Sequence, residues 1–228
     1  SGSLAPAGER GEDVEFKTTH ATARFKDQQA AEAAFARVKD ATTARVTDVE
    51  KKSRTTRPPA PFNTTSLQAA SMQAAAAAEG ISPARAMRLA ESLYMDGLIS
   101  YPRVDNTVYP ASLDLKECVR TLAEVPQYRP CCSELLGRGR LTATRGKQET
   151  TDHPPIYPTA AADPGKLEGA AWKLYNLIAR RFLATLMGPA TIAGTKVELD
   201  VSGEPFVATG NVLAVPGFRA IYPYGLKK

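Results

Sequence analysis

The chain has few of the residues on which many metal and redox sites depend. Its 228 residues include only three cysteines and two histidines. Cys131 and Cys132 are adjacent, and no CxxC pair occurs, so the sequence supports neither a zinc ribbon nor a disulfide framework. We therefore expect reduced, inert thiols and no metal site in these residues.

Long apolar runs are also missing. No stretch approaches the ~20 residues that a membrane-spanning helix needs, and the most apolar one, at 183–192, is interrupted by Gly188 and Pro189. Hydrophobic residues make up 43% of the chain and charged residues 23%, which is ordinary globular usage and excludes wholesale disorder. We expect a soluble globular protein without a membrane partner.

Neither sign of charge dominates the composition. The 29 lysines and arginines face 24 aspartates and glutamates, for a net charge of +5. This balance permits an acidic partner such as nucleic acid but does not require one. The positions of the basic residues therefore matter more than their sum.

The two ends of the chain have the patterns of β-strands. Residues 20–25 alternate apolar and polar side chains, and so do residues 197–201 before the turn signal Ser202-Gly203. Residues 44–49 form a further predicted strand, after a short helix predicted over 28–38. We expect β-rich structure at both ends.

The middle of the chain has helical patterns instead. An alanine-rich helix is predicted over 66–79. A second helix begins after Ser82, a favourable N-cap followed by Pro83, and ends at Gly97. A long amphipathic helix is predicted over 167–187.

A strand region that is left and re-entered around a helical block indicates one domain inserted into another. We predict an α+β fold with a discontinuous β-rich domain at residues 14–65 and 160–228. A mainly helical domain with a short β element is predicted at residues 66–159.

The most informative polar segment follows Gly97. Tyr101, Arg103 and Asp105 lie two residues apart, so their side chains point the same way on an extended backbone. A phenol beside a guanidinium suits phosphate chemistry, because arginine can hold a phosphate through two hydrogen bonds and offset the charge that develops during attack. A buried tyrosine whose hydroxyl is satisfied by Asp105 or Arg103 fits the same spacing.

Three ordered motifs resemble those of one enzyme family. They are PFNTTSLQ at residues 61–68, GLISYPR at 97–103 and DHPPIYPT at 152–159. In order and spacing they are similar to motifs of the type IA DNA topoisomerases. Val104 and Asn106 stand where the commonest bacterial version has threonine and serine, whereas the aspartate between them is retained.

The resemblance implies a fold and an activity. It implies a β-rich arch domain with an inserted, winged-helix-like domain that carries a nucleophilic tyrosine. The family cleaves and religates single-stranded DNA through a 5′-phosphotyrosine, without ATP, so that strands pass and negative supercoils relax. Mg²⁺ is bound in the family by a TOPRIM domain whose signatures are not among these residues. We therefore expect weak or no cleavage by the chain without the remaining domains of the parent enzyme, and a monomeric, cytoplasmic, nucleoid-associated protein.

The resemblance also implies roles for individual residues. Tyr101 matches the nucleophile, Arg103 matches an arginine at the scissile phosphate, and His153 matches a histidine that hydrogen-bonds near it. Asp105, which the family shares, is a further candidate for DNA contact. A non-catalytic module that binds single-stranded nucleic acid, with Tyr101 stacked on a base, is the alternative.

Two further pairs of basic residues are candidates for DNA contact. Arg85 and Arg88 lie on the polar side of the helix before Tyr101, where a solvated helix face is the alternative. Arg145 and Lys147 belong to a glycine-punctuated basic loop over 137–148. An exposed, mobile loop without a partner is the alternative there.

Overall fold

The computed structural model describes residues 2–4, 16–74, 81–167 and 169–224. Their helices and strands, in chain order, are β1 (Gly2–Leu4), β2 (Phe16–His20), α1 (Gln28–Val38), β3 (Arg45–Thr56), α2 (Thr64–Ala74), α3 (Pro83–Met95), α4 (Leu115–Ala123), α5 (Arg129–Leu136), α6 (Gly169–Leu186), β4 (Ala190–Val201) and β5 (Glu204–Val215). Short 3₁₀ helices lie at Pro126–Tyr128 and Gly217–Ala220. The predicted α+β class is confirmed. In the described ranges, no helix is long and apolar enough to cross a bilayer.

The strands form one sheet in the order β1-β2-β5-β4-β3. Strand β2 pairs with β5 in antiparallel register, with Thr19 opposite Val207. The link between β4 and β5 is the predicted turn, in which Ser202 has φ 52° and Gly203 has φ 85°. Two positive φ angles are what a tight hairpin turn of the I′ type requires, and the glycine meets that requirement without strain.

The strand predicted over 20–25 is wrong beyond its first residue, because β2 ends at His20. The backbone N–H of Thr22 donates to the Nδ1 atom of His20 at 3.0 Å. That side-chain acceptor replaces a ladder partner and turns the chain out of the sheet. The strand predicted over 44–49 is real but longer, since β3 continues to Thr56.

The first compact unit comprises residues 1–55 and 191–214, of which the described part is discontinuous along the chain. Its core is small and includes Ala34, Leu199 and Ala208. The carboxylate of Glu204 lies 2.9 Å from His20 Nε2 and accepts a hydrogen bond from Arg37 Nε at 2.5 Å. Hydrogen bonds from His20 and then from Arg37 hold the pKa of Glu204 below its usual value.

The second compact unit comprises residues 56–190 and 215–228, of which the structure describes residues up to 224. Helix α6 is buried along much of its length, and Leu174, Ile178 and Phe182 on its apolar face are in the core. The apolar face of α6 packs in one cluster with buried side chains from the other helices and from the segments between them: Phe62, Leu67, Leu93, Ile99, Leu122, Leu135 and Ile156.

The compact units differ in their boundaries from the predicted domains at 14–65 with 160–228 and at 66–159. The chain enters the second unit at residue 56 and leaves it after residue 190. Helix α6 lies in the helical unit, although the sequence pattern assigned it to the β-rich domain. Its apolar face is the reason, because that face is buried among α2, α3 and their neighbours.

Helix ends follow the local capping signals where these were recognised. Ser82 accepts a hydrogen bond from the Arg85 N–H at 3.3 Å and begins α3, as predicted. Helix α2 begins at Thr64, and the part of its prediction from 75 to 79 lies outside the described residues. Helix α4 begins after Asp114, whose carboxylate accepts from the Glu117 N–H at 3.0 Å.

Candidate active site

The approach to Tyr101 is set by the end of α3. Gly97 has φ +73°, and its N–H donates to the Tyr94 carbonyl at 2.9 Å. The N–H of Leu98 donates to the Leu93 carbonyl at 2.9 Å. These two bonds with a left-handed glycine form a Schellman motif, which ends the helix and sends the chain out extended. The glycine therefore sets the direction of the extended segment that carries Tyr101.

The second and third sequence motifs lie side by side. The N–H of Ser100 donates to the Tyr157 carbonyl at 2.9 Å, and the N–H of Thr159 donates to the Leu98 carbonyl at 3.0 Å. At this point the β structure consists of an antiparallel bridge between Ile99 and Pro158. This pairing places the DHPPIYPT segment beside the residues that lead to Tyr101.

Tyr101 and His153 are in contact. Their ring centroids are 5.0 Å apart with planes inclined at 50°. Tyr94 lies on Tyr101 edge-on, with centroids 5.3 Å apart, and is itself 42% exposed. The Tyr101 side chain is partly exposed, and its hydroxyl hydrogen-bonds to none of the described residues. The alternative of a buried tyrosine satisfied by Asp105 or Arg103 is therefore wrong.

After Tyr101, exposed and buried side chains alternate along the backbone, as expected for an extended segment. Arg103 and Asp105 are exposed, whereas Pro102, Val104 and Asn106 are buried. The side chains of 101, 103 and 105 therefore share the accessible side of an extended segment.

Arg103 has a carboxylate partner in α3. Its Nε donates to Glu91 Oε1 at 2.7 Å, and its Nη2 forms a second contact with the same oxygen. Guanidinium has five N–H donors, so this pair leaves others free for an oxyanion. Glu91 thus fixes the direction of Arg103 without using up its donors.

Thr64, from the PFNTTSLQ motif, holds the backbone on both sides of Arg103. Its hydroxyl donates to the Pro102 carbonyl at 2.8 Å and accepts from the Val104 N–H at 2.9 Å. Its own N–H donates to the Val104 carbonyl at 2.9 Å. The first motif thus positions the second, a role that the resemblance alone does not reveal.

Asn106 hydrogen-bonds to the backbone of the segment that contains His153. Its side-chain amide donates to the Thr150 carbonyl at 2.8 Å and to the His153 carbonyl at 3.0 Å, and its Oδ1 accepts from the Val108 N–H at 2.9 Å. The side chain is only 3% exposed and all of its polar capacity is used locally. Asn106, which the sequence marked only as a departure from the bacterial motif, holds His153 beside Tyr101.

The loop with Arg145 and Lys147 is tied down rather than free. The N–H of Gly146 donates to the Thr107 carbonyl at 2.9 Å, and the N–H of Thr107 donates to the Gln148 carbonyl at 2.8 Å. Arg145 pairs with Glu149 at 2.7 Å, and Lys147 is exposed. Residues 146–148 are therefore hydrogen-bonded to the segment that follows Tyr101.

The two arginines of α3 are not in contact with Tyr101. Arg85 and Arg88 are both exposed. Arg88 lies three residues before Glu91, so the two are neighbours on the helix surface, and Arg88 is near the Arg103 pair. Arg85 is a further turn away, on the same exposed surface. The structure brings Tyr101 and His153 into contact, and among the described residues no hydrogen bond, ion pair or ring contact joins the other candidates to either of them.

Charge and metal-binding capacity around the site are limited. A hydrogen bond from Thr150, followed by the His153 N–H, lowers the pKa of Asp152 next to the histidine. In the part of the chain that the structure describes, no three His, Cys, Asp or Glu side chains are grouped closely enough to hold a metal ion.

Comparisons with known proteins bear on what this site belongs to. A family model described as DNA topoisomerase matches residues 5–228. The chain belongs to the type IA DNA topoisomerase family. It is 41% identical over 201 residues to DNA topoisomerase 1 of Archaeoglobus fulgidus, covering 88% of this chain and 29% of that protein. It is 37% identical over 201 residues to DNA topoisomerase 3-beta of Arabidopsis thaliana, covering 88% of this chain and 23% of that protein.

A solved structure of topoisomerase I agrees with this fold. Full-length topoisomerase I from Thermotoga maritima aligns with a TM-score of 0.62 and 23% sequence identity, over 94% of this chain and 34% of that one. At that identity the likeness concerns the fold alone. The chain spans less than a third of the length of the two curated relatives above.

Proposed function

We propose that this chain carries the tyrosine half of a type IA topoisomerase site, which cleaves and rejoins single-stranded DNA. The observation that supports the proposal most is the contact between Tyr101 and His153, whose ring centroids lie 5.0 Å apart on a partly exposed surface. Arg103 lies on the same side of the backbone, two residues on, with donors to spare. These are the three residue types at the positions that the family's motifs lead one to expect.

In this proposal the Tyr101 oxygen attacks a backbone phosphorus of single-stranded DNA. The phosphorus–O3′ bond breaks as the phosphotyrosine bond forms, which leaves a 5′-phosphotyrosine and a free 3′-hydroxyl. The phenol loses its proton and the 3′ oxygen gains one. After another strand has passed through the gap, the 3′-hydroxyl attacks the same phosphorus and reverses both changes. No ATP is needed, because the phosphodiester is exchanged for another phosphate ester of similar energy.

The neighbours of Tyr101 have separate roles in this proposal. A phenol has a pKa of about 10, so it is a weak nucleophile at neutral pH without help. Arg103 offsets the charge that develops on the phenolate and on the phosphate oxygens. His153, held by Asn106, donates a hydrogen bond to a phosphate oxygen.

The remaining components lie beyond the described residues. In the family, Mg²⁺ belongs to the TOPRIM domain, and it would offset phosphate charge and help to hold the cleaved ends. The proposed partners are therefore single-stranded DNA and the other domains of the parent enzyme, in a monomeric, DNA-associated protein. Asp105, Arg85, Arg88, Arg145 and Lys147 are proposed to contact the DNA backbone around the scissile phosphate.

Covalent trapping tests the proposal. The chain is mixed with a labelled single-stranded oligonucleotide, magnesium and a TOPRIM fragment of a relative, quenched with detergent and resolved by gel electrophoresis. We expect a slowed protein–DNA band that is lost in Tyr101→Phe. The matched control is Tyr94→Phe, which removes a neighbouring, partly exposed hydroxyl and is expected to retain the band.

The alternative function predicts a different result. A non-catalytic module would bind the oligonucleotide in a salt-sensitive manner and give no covalent band under any of these conditions. A band that persists in Tyr101→Phe would rule out the proposed nucleophile.

A further inference from the structure

A second cleft in the 56–190 and 215–224 unit has none of Tyr101, Arg103 or His153 in its lining. Its volume is about 310 Å³. Three arginines and two tyrosines contribute to its walls, and we call it the arginine cleft: Arg57, Arg181, Arg219, Tyr222 and Tyr224, with Ser66 and Gln73 beside them. The volume is at the lower end of the range for small-ligand sites.

The arginine cleft is positively charged without an internal counter-ion. No aspartate or glutamate is among its lining residues. None of the ion pairs among the described residues involves Arg57, Arg181 or Arg219. Three guanidinium groups around one small concavity therefore attract an anion.

Arg219 has unused donors in this cleft. Its Nε and Nη1 atoms are buried, and neither has a hydrogen-bond partner among the described residues. Its guanidinium lies 5.4 Å from the Phe218 ring centroid, which is a contact that satisfies no N–H group. These two atoms are not accessible to solvent, whereas Nη2 is neither buried nor hydrogen-bonded to any of the described residues, so Arg219 can meet an anion in the cleft through Nη2 and its charge.

Arg181 forms a fixed wall of the same cleft. Its Nε donates to the Ala60 carbonyl at 2.7 Å, its Nη1 donates to the Tyr222 hydroxyl at 3.1 Å, and its guanidinium lies 4.4 Å from the Phe62 ring centroid. The Tyr222 hydroxyl accepts that bond, so its own hydrogen remains available to a further acceptor. Burial raises the pKa of Tyr222. The side wall is therefore rigid and also offers a donor.

We propose that the arginine cleft binds one phosphate group of a single-stranded nucleic acid, with Arg219 as its main donor and Arg57 at its exposed rim. Tyr224, whose ring centroid is 4.8 Å from that of Tyr222, supplies an aromatic surface for the adjoining sugar or base. The choice of nucleic acid rests on membership of the topoisomerase family. It does not depend on Tyr101 being the nucleophile.

The experiment measures binding of a short fluorescent single-stranded oligonucleotide by anisotropy, over a range of salt concentrations. All proteins carry Tyr101→Phe, so that the outcome is independent of covalent chemistry. Arg219→Gln removes the charge but keeps an amide of similar reach. Arg120→Gln is the matched control, because Arg120 is an exposed arginine of the same unit that pairs with Glu117 and lies outside the cleft.

Loss of one phosphate contact reduces the salt dependence of single-strand binding by about 0.7 in the slope of log K against log salt. We expect that reduction, with several-fold weaker binding at low salt, for Arg219→Gln and not for Arg120→Gln. Thermal unfolding without DNA is measured alongside, and we expect no loss of stability, since the donors that are removed have no partner in the free chain. If Arg219→Gln does unfold the protein, the exposed Arg57→Gln takes its place with the same expected slope.

Two outcomes would overturn the proposal. One is an unchanged slope for both Arg219→Gln and Arg57→Gln. The other is that inorganic phosphate, at the concentration used for the oligonucleotide, raises the melting temperature of the protein while the slope for oligonucleotide binding is unchanged. The cleft would then be a site for free phosphate. Neither outcome affects the trapping result for Tyr101.

Discussion

Replacing Asn106 by aspartate tests how His153 is held beside Tyr101. The substitution keeps the shape of the side chain and its acceptor for the Val108 N–H, but removes both donations, to the Thr150 and His153 carbonyls at 2.8 and 3.0 Å. Each lost bond costs about 1 kcal/mol. A carboxylate that faces two carbonyl oxygens at a site only 3% exposed adds a desolvation cost of roughly 1–3 kcal/mol, unless it takes up a proton.

We therefore expect Asn106→Asp to lower the free energy of unfolding by about 3–5 kcal/mol at neutral pH. Burial raises the pKa of the introduced carboxyl in the folded state above its unfolded value of about 3.9. A raised folded-state pKa favours folding at low pH and disfavours it as pH rises through that pKa. The deficit relative to the natural chain should therefore shrink on acidification from neutral pH.

Urea unfolding followed by circular dichroism, at neutral pH and at about pH 5, measures this difference. Asn106→Ala is the uncharged control: it loses the same two donations and also the acceptor for the Val108 N–H, and its deficit should be nearly independent of pH. The chain has only two histidines, so the ring signals of His153 in NMR spectra report directly whether it has moved. Equal deficits for the two variants at both pH values, or an unmoved His153, would refute this role for Asn106.

Three other substitutions or measurements follow from the same contacts. Thr64→Val leaves the buried Val104 N–H without its 2.9 Å acceptor and should cost about 1–3 kcal/mol in urea unfolding and weaken oligonucleotide cleavage, whereas a cost under ~0.5 kcal/mol would contradict the role of Thr64. Gly146→Ala places a Cβ atom against the Thr107 side chain and 2.8 Å from its carbonyl, so a loss of about 1–3 kcal/mol is expected, and unchanged stability would show that the loop is not pinned. Burial raises the pKa of Cys131 to about 12, so thiol labelling at pH 8 should be more than ~10-fold slower in the folded than in the urea-unfolded chain, and equal rates would disprove this burial.

Local signals predicted the local structure well. The helix over 28–38, the Ser82 cap of α3, the Gly97 stop and the Ser202-Gly203 turn are all confirmed, because each depends on residues within a few positions of one another. The strand over 20–25 failed for a reason that periodicity does not show. A side-chain acceptor on His20 competes for a backbone N–H at that point.

Sequence patterns did not predict the contacts between residues that are distant in the chain. Arg180 donates to the Ile221 carbonyl at 3.0 Å and Arg181 to the Ala60 carbonyl at 2.7 Å. Their partners are far away in sequence, so no local pattern marks them. Helix α6 was assigned to the β-rich domain for the same reason, since an amphipathic helix shows that it has a partner but not which one.

In the candidate site, too, the residues within motifs could be predicted and the residues that position them could not. Tyr101, Arg103 and His153 could be proposed from motifs, because each lies within a short, recognisable run. The residues that hold them could not, although Thr64 and Asn106 are inside or next to those runs. Their role consists of hydrogen bonds between segments about 40 residues apart, which only the folded chain brings together.

Mass spectrometry of the trapped protein–DNA adduct tests the central claim most directly. Trypsin cuts after Arg88 and Arg103, so one peptide over 89–103 contains both Tyr94 and Tyr101. We expect the nucleotide mass on Tyr101, seen in fragment ions that separate it from Tyr94, and linked through a 5′-phosphate. A nucleotide on Tyr94, or on any residue outside this peptide, would contradict the assignment of Tyr101 as the nucleophile.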